Sequence, residues 1–206
     1  MQSWNIIKSV TVCNGKVFIN NKHEHSFDPE VGTITKELQK IYAKGYGKFF
    51  KMDKLSKLGF VSAEILLNGF EIKEEDLNEV ALIIGNSSAT TPTDLRYYES
   101  MSEIPSPAVF VYTLPNILIG EICIKNKFKG ESLFFISKDF CPSELLMHVN
   151  TVASNTKIKH IVAGWINFEN DKEYLSNIYL ISQTEDYIKL NKENLEKSFT
   201  VHKNIT

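Results

Sequence analysis

Apolar residues along this chain recur with two different periods, and the alternation between them predicts the order of elements. Residues 6–18 are rich in β-branched side chains and are broken by Asn14-Gly15. Val10 and Val12 before that dipeptide, with Val17 and Ile19 after it, predict a hairpin or two short strands. Residues 20–32 are polar and contain Pro29, which predicts a loop. Across residues 51–69 the period changes. Met52, Leu55, Leu58, Ser62, Ile65 and Leu66 follow at helical steps as one apolar stripe, with Gly59 and Ala63 beside it to permit close packing and Gly69 placed to end the helix. Residues 79–85 are a short apolar run that opens into Asn86-Ser87-Ser88, the pattern of a buried parallel strand with its loop at the carboxyl end. Thr91-Pro92 starts a short helix through Arg96-Tyr97-Tyr98. After Pro115, Ile117, Gly120, Glu121, Ile124 and Phe128 keep helical spacing up to Gly130. Residues 133–137 read as a strand. Residues 142–154 read as a helix with Pro142 in its first turn and Leu145, Leu146, Val149, Val152 and Ala153 on its apolar side. Residues 160–168 and 177–183 are two further strands, and the lysine-rich, acid-containing stretch 189–203 reads as solvated surface. Strands alternating with helices predict an α/β sheet with helices packed on it.

Composition narrows the classes. The chain has 206 residues, 43% of them hydrophobic and 23% charged, which excludes a disordered or collagen-like chain and matches about one domain. The formal net charge is −2 and Arg96 is the only arginine, so no nucleic-acid partner is expected. No apolar run approaches the ~20 residues needed to span a bilayer. The start, Met1-Gln2-Ser3-Trp4-Asn5, lacks the layout of a signal peptide. Cys13, Cys123 and Cys141 are scattered, without metal or disulfide spacing. Reduced thiols, a cytoplasmic location and no membrane insertion are the expectations. His23-Glu24-His25 places two imidazoles on one side of a strand, as in a metal site, or is simply a solvated loop. No third ligand is visible, and neither metal nor other cofactor is expected. Residues 85–91 offer backbone N–H groups to an anion or form a tight strand-to-helix loop; they lack the lysine of a phosphate-binding loop.

Four segments together resemble the N-terminal half of the β-ketoacyl synthases, which have the thiolase-like fold. They are Met52-Asp53-Lys54-Leu55-Ser56-Lys57-Leu58-Gly59 with Val61-Ser62-Ala63-Glu64; Val80-Ala81-Leu82-Ile83-Ile84-Gly85-Asn86-Ser87-Ser88; Ser106-Pro107-Ala108-Val109-Phe110-Val111-Tyr112-Thr113-Leu114-Pro115-Asn116 followed by Gly120-Glu121-Ile122; and Ile161-Val162-Ala163-Gly164. The third is similar to the family's "s-P-x-x-f-x-x-x-m-P-N" stretch and is the most specific. The resemblance covers about Trp4 to Gln183. It implies an α/β thiolase-like half-fold, with residues 1–206 forming a single ketosynthase-like N-terminal domain.

The resemblance also locates the seat of the nucleophilic cysteine, in a sharp turn at the start of a buried helix that favours the thiolate. Counting forward from Gly130 and back from Ala163, both in the family's spacing, arrives at Asp139. A carboxylate is a far poorer nucleophile toward a thioester, and its acyl adduct would be a reactive mixed anhydride. Cys141 lies two residues on and is followed directly by Pro142. It is either a displaced nucleophile or a small buried hydrophobe near a helix start, and Asp139 is either a residual functional carboxylate or a cap of that helix. The family's two catalytic histidines lie in a C-terminal half for which the chain has no counterpart; His23, His25, His148, His160 and His202 sit in none of its motifs.

A non-catalytic accessory or scaffold subunit in fatty-acid, polyketide or aryl-polyene-type synthesis is therefore the expected function, similar to chain-length factors. It would pair with itself or with a β-ketoacyl synthase, and its further partner would be an acyl carrier protein. The resemblance places the interface and acyl pocket along residues 109–124, with Phe110, Tyr112, Leu114, Pro115, Asn116 and Ile119 as its candidates. A half-fold left without cover would expose large apolar side chains at about 1.5–3 kcal/mol each. The alternatives are a short acyltransferase or condensing enzyme using Cys141 with groups from another chain, and a homodimeric acyl-binding module.

Overall fold

The computed structural model describes residues 3–203 apart from 73, 103 and 186, with the side chains at 74, 75 and 200–203 outside the description. The chain opens on an antiparallel meander of β1 (Trp4–Cys13), β2 (Lys16–Ile19) and β3 (Lys22–Ser26). Val12 faces Val17 across the expected hairpin, and Asn14 and Gly15 take φ of 43° and 73°, the turn geometry that Asn-Gly supplies. β3 lies inside the stretch whose polarity predicts a loop. It is a rim strand, and Lys-His-Glu-His-Ser suits an edge open to water. No element is assigned by sequence to residues 33–50, yet α1 (Val31–Tyr42) buries Val31, Ile34, Thr35 and Leu38 at helical spacing.

Asp53 caps α2 (Lys54–Leu67) by accepting from the Ser56 N–H at 2.9 Å. Gly69, just past its end, has φ +79°, as expected of a helix terminator. The predicted single stripe is in fact a helix buried nearly all round, from Leu55 to Leu66 with only Lys57 part-exposed. It is enclosed by the sheet, α1 and a later helix. At Gly59 a side chain would collide with Leu118 and Ile166, so the expected close approach is present.

β4 (Val80–Asn86) is buried at every position. From its end the chain makes an excursion through α3 (Thr91–Ser100) and α4 (Pro107–Val111) before α5 (Ile117–Asn126) returns it to β5 (Ser132–Ile136). Lys127, with φ +60°, rather than Gly130 ends α5; Gly130 is instead required by contact with the Val80 carbonyl. α6 (Pro142–Ala153), β6 (His160–Phe168), β7 (Tyr174–Gln183), the short β8 (Ile188–Lys189) and α7 (Lys192–Lys203) complete the chain.

The sheet runs β3-β2-β1-β7-β6-β4-β5, with β8 beside β1. β4 is parallel to β5 and β6, while β7 is antiparallel to both β6 and β1. One face carries α1, α2 and α5 over Val10, Val12, Leu82, Ile84, Val162 and Leu180. The other carries α6 and α7 over Ala81, Ile83, Ile161, Tyr179 and Ile181. A bulge between Ile6 and Lys8 switches the alternation, so Ile6 faces α7 while Lys8 points to the opposite side and donates to the Ile65 and Asn68 carbonyls at the end of α2. α7 corrects the reading of residues 189–203 as solvated surface. Leu195, Ser198 and Phe199 are buried on its inner side, and the charges that suggested exposure occupy its outer side.

Candidate functional site

The segment between β5 and α6 is where the resemblance places a nucleophile. Asp139 sits in a bend, exposed, and does not cap the helix. The N-cap position belongs to Cys141, whose side chain accepts no capping bond. The capping role expected of Asp139 is thereby corrected. Proline at the first helical turn removes one N–H that a cap would otherwise have to satisfy. Cys141 is exposed, in extended backbone with φ −119° and ψ 105°. It is neither the buried small hydrophobe expected of it nor held in the left-handed region. Phe140 points inward, stacking on Phe199 at 4.1 Å and edge-on to Trp165 at 6.0 Å. The segment is thus anchored by an aromatic ring, with its carboxylate and thiol left in solvent.

No imidazole with a described side chain attends that thiol. His148 lies two turns along α6 against Phe135 (4.6 Å), and His160, at the other end of β6, bonds Ser182 Oγ at 2.7 Å. His23 and His25 bond Ser26 and Tyr42 from β3, and His202 is outside the described side chains. Among the described residues no group of histidine, cysteine, aspartate and glutamate could hold a metal ion. Cys13 and Cys123 are held as thiols, their pKa pushed up to about 11 by burial. Residues 85–91 form the tight strand-to-helix loop: Asn86 closes it on Ala89, which has φ +49°, and Ser87 is tied to Asn167.

The most unusual surface lies on the excursion between β4 and α5. Leu95, Tyr98, Met101, Ile104, Phe110, Val111 and Leu114 are all substantially exposed, Tyr98 at 74% and Ile104 at 86%. α4 buries none of its residues. Seven large apolar or aromatic side chains exposed on one excursion of the chain go beyond the singly scattered apolar residues that are normal on a protein surface. The ridge is one unit, because the Tyr97 and Phe110 rings meet at 5.3 Å and the Thr90 hydroxyl donates to the Thr113 carbonyl at 2.7 Å.

Beneath it lies a polar anchor. Glu121 on α5 accepts from the Tyr112 hydroxyl at 3.1 Å and the Tyr46 hydroxyl at 3.5 Å. Burial, then the Glu121 charge, pushes the Tyr112 phenol well above its ordinary range, so it stays a donor. Next to this, buried Asp53 accepts from Thr93 Oγ at 2.7 Å, tying α3 to the start of α2. Apolar groups face out and hydrogen-bonded groups face in, the reverse of an ordinary surface helix.

Of the residues expected at the interface, Phe110, Leu114 and Asn116 reach the surface and Pro115 is half-buried. Tyr112 and Ile119 are buried, the first on Glu121 and the second in the α2–α5 core. The sequence reading missed the α3 contribution. A signal was present: no lysine occurs between Lys73 and Lys125 in a chain otherwise dense in lysine, and lysine is depleted at interfaces. The two rims of the sheet also differ. β3 is charged, whereas β5 reads Ser-Leu-Phe-Phe-Ile with Ile136 exposed.

No protein-family model matches the sequence, and no curated protein sequence matches it. Solved structures do. A chain of the ketosynthase ApeO in complex with its chain length factor ApeC from Xenorhabdus doucetiae superposes with a TM-score of 0.60 at 11% identity, over 97% of this chain and 91% of that one. The ishigamide ketosynthase/chain length factor gives 0.63 at 10% identity, over 91% of this chain and 64% of that one. AntDE:AntF, a type II polyketide synthase acyl-carrier protein in complex with its ketosynthase bound to the hexaketide, gives 0.61 at 14% identity, over 90% and 64%. The chain thus spans somewhat under two thirds of the latter two and nearly all of the first. At these identities the likeness establishes the architecture: a mixed sheet covered by helices, in the thiolase-like α/β fold of ketosynthases and chain length factors.

Proposed function

We propose that this chain is a non-catalytic, ketosynthase-like accessory subunit that pairs with a catalytic ketosynthase in polyketide, aryl-polyene-type or fatty-acid assembly. The apolar ridge on α3 and α4 carries this reading. A surface of that size in water is costly, and it is held in place by hydrogen bonds that would have no purpose if the ridge were meant to collapse. The apolar rim strand β5 ends the sheet and leaves an edge open to strand pairing. The nucleophile segment supports loss of chemistry. An exposed thiol with no imidazole bonded to it among the described residues, and an exposed carboxylate, lack the activation that acyl transfer requires. Ketosynthases joined to chain length factors, and one joined to an acyl carrier protein, are among the similar structures, which favours those partner classes.

The test is reconstitution with a candidate ketosynthase and carrier protein. The chain is expected to raise or redirect condensation by its partner, and Cys141→Ala with Asp139→Asn is expected to leave that effect unchanged. Loss of the effect in Cys141→Ala would instead place the nucleophile on this chain. Rapid labelling of Cys141 alone does not decide the matter, because Cys13 is buried and Cys123 half-buried, so the exposed Cys141 would react first in either case.

A further inference from the structure

The chain contains two Asn-Gly pairs, Asn14-Gly15 and Asn68-Gly69. A glycine nitrogen has no side chain beside it, so it attacks a preceding carboxamide more readily than the nitrogen of a branched residue does. The fold treats the two pairs differently. Gly15 is buried in the β1–β2 turn, and its N–H donates to the Tyr174 hydroxyl at 2.9 Å. The Phe27 carbonyl and Pro29 close around its α-carbon. That nitrogen is committed and has no room to move.

Asn68 and Gly69 are both exposed. They are the central residues of a turn at the end of α2, with φ −60° and ψ 122° at Asn68, φ +79° at Gly69, and the Phe70 N–H on the Leu67 carbonyl at 2.9 Å. The Asn68 carboxamide has no hydrogen-bond partner among the described residues, and a side chain on Gly69 would meet nothing within 4 Å. The main-chain carbonyl of Asn68, in contrast, is held. Lys8 Nζ donates to it at 2.9 Å and to the Ile65 carbonyl at 2.7 Å. This half-buried ammonium meets carbonyl dipoles and has no carboxylate partner among the described residues, and burial lowers its pKa from the ordinary lysine value.

We infer that Asn68 is a self-modifying residue and that Lys8 directs its product to isoaspartate. Rotation about the Asn68 Cα–C bond, away from ψ 122°, brings the Gly69 nitrogen to Cγ. The N–Cγ bond forms, the Cγ–Nδ2 bond breaks, and ammonia leaves with the proton of the Gly69 N–H. A five-membered imide remains. Water then adds to one of its two carbonyls. Attack at Cγ breaks the Cγ–N bond and gives aspartate. Attack at the main-chain carbonyl breaks the bond from that carbon to the Gly69 nitrogen, which takes up a proton from the water. A free main-chain carboxylate results, and the chain continues through Cγ as isoaspartate. Lys8 polarises the main-chain carbonyl and stabilises the oxyanion that forms on it, which favours the second route. The carboxylate produced includes the oxygen that Lys8 already holds, so the ammonium gains the counter-charge it lacks. None of this depends on the pairing proposed for the α3–α4 ridge.

The test is incubation of the intact chain in mildly alkaline buffer, then tryptic peptide mapping with electron-transfer fragmentation, which distinguishes isoaspartate from aspartate. Conversion is expected at Asn68 and not at Asn14. The isoaspartate-to-aspartate ratio at residue 68 is expected to exceed that of the guanidinium-unfolded chain about fivefold, the effect of one hydrogen bond worth ~1 kcal/mol. Lys8→Met is expected to return the ratio to the unfolded value, and Lys8→Arg to keep it. Thermal unfolding of each variant establishes that it is folded. The ratio is read rather than the rate, because Lys8→Met also loosens the turn and so changes how fast the ring closes. Conversion at Asn14 as fast as at Asn68, no conversion at Asn68, or a ratio indifferent to Lys8→Met would each overturn the inference.

Discussion

Replacing Leu195 with alanine tests whether α7 is an integral cover of the sheet or an appended tail. Leu195 is fully buried among Ile6, Tyr179 and Ile181. Truncation removes the equivalent of three methylene groups, about 2.4 kcal/mol of transfer free energy at ~0.8 kcal/mol each. Incomplete collapse around the vacated space adds a cavity term, bringing the expected loss to about 3 kcal/mol. With a urea slope near 2 kcal/mol/M, the unfolding midpoint should fall by about 1.5 M with the slope unchanged. Equilibrium urea denaturation followed by tryptophan fluorescence is suitable, because Trp165 contacts Phe140, which stacks on Phe199 of the same helix. A midpoint shift below about 0.25 M would mean that α7 does not pack as described and that residues 189–203 are solvated after all.

Lys8→Met removes the two hydrogen bonds, 2.7 and 2.9 Å, that close the end of α2 and should cost about 1–2 kcal/mol in the same assay. Gly164→Ala drives a Cβ into the Asn177 carbonyl and the Ile178 backbone across the β6–β7 pair, and a loss of at least about 2 kcal/mol is expected. The raised thiols of Cys13 and Cys123 keep their protons in the fold at pH values where the unfolded chain has lost them. Their contribution is therefore complete below about pH 9 and declines as pH rises from 9 toward 11, so the loss of stability between pH 8 and pH 11 should be smaller in Cys123→Ala than in the parent chain. Titration with a disulfide reagent near pH 8 should count one reactive thiol in the native protein and three after denaturation.

The parallel core and its helices were legible because burial on both faces leaves an unbroken apolar run, as in β4, and because Gly69, Pro142 and Asn14-Gly15 are turn and terminus residues with one dominant use each. β3 was not legible. Polarity distinguishes a buried strand from a loop, but it cannot distinguish a solvated rim strand from one. α7 was obscured in a similar way: its charged outer positions outnumber the few buried ones, and Leu195 and Phe199 alone do not make a periodic stripe. At the site, exposure within the Ser106–Asn116 stretch is decided by tertiary contacts. Tyr112 turns inward because Glu121 is there to receive its hydroxyl, while Phe110 turns outward. The part of the ridge contributed by α3 carried no helical stripe, since its apolar side chains face water rather than a core.

The central claim is that the α3–α4 ridge is the surface through which this chain joins a catalytic subunit. Native mass spectrometry of the chain mixed with candidate ketosynthases, with and without Phe110→Asp and Tyr98→Asp, tests it most directly. Both substitutions are at exposed positions and should leave the fold intact. The account predicts a stoichiometric complex with a ketosynthase that both substitutions abolish. A complex indifferent to them, or a chain that stays monomeric beside every ketosynthase offered, would contradict it.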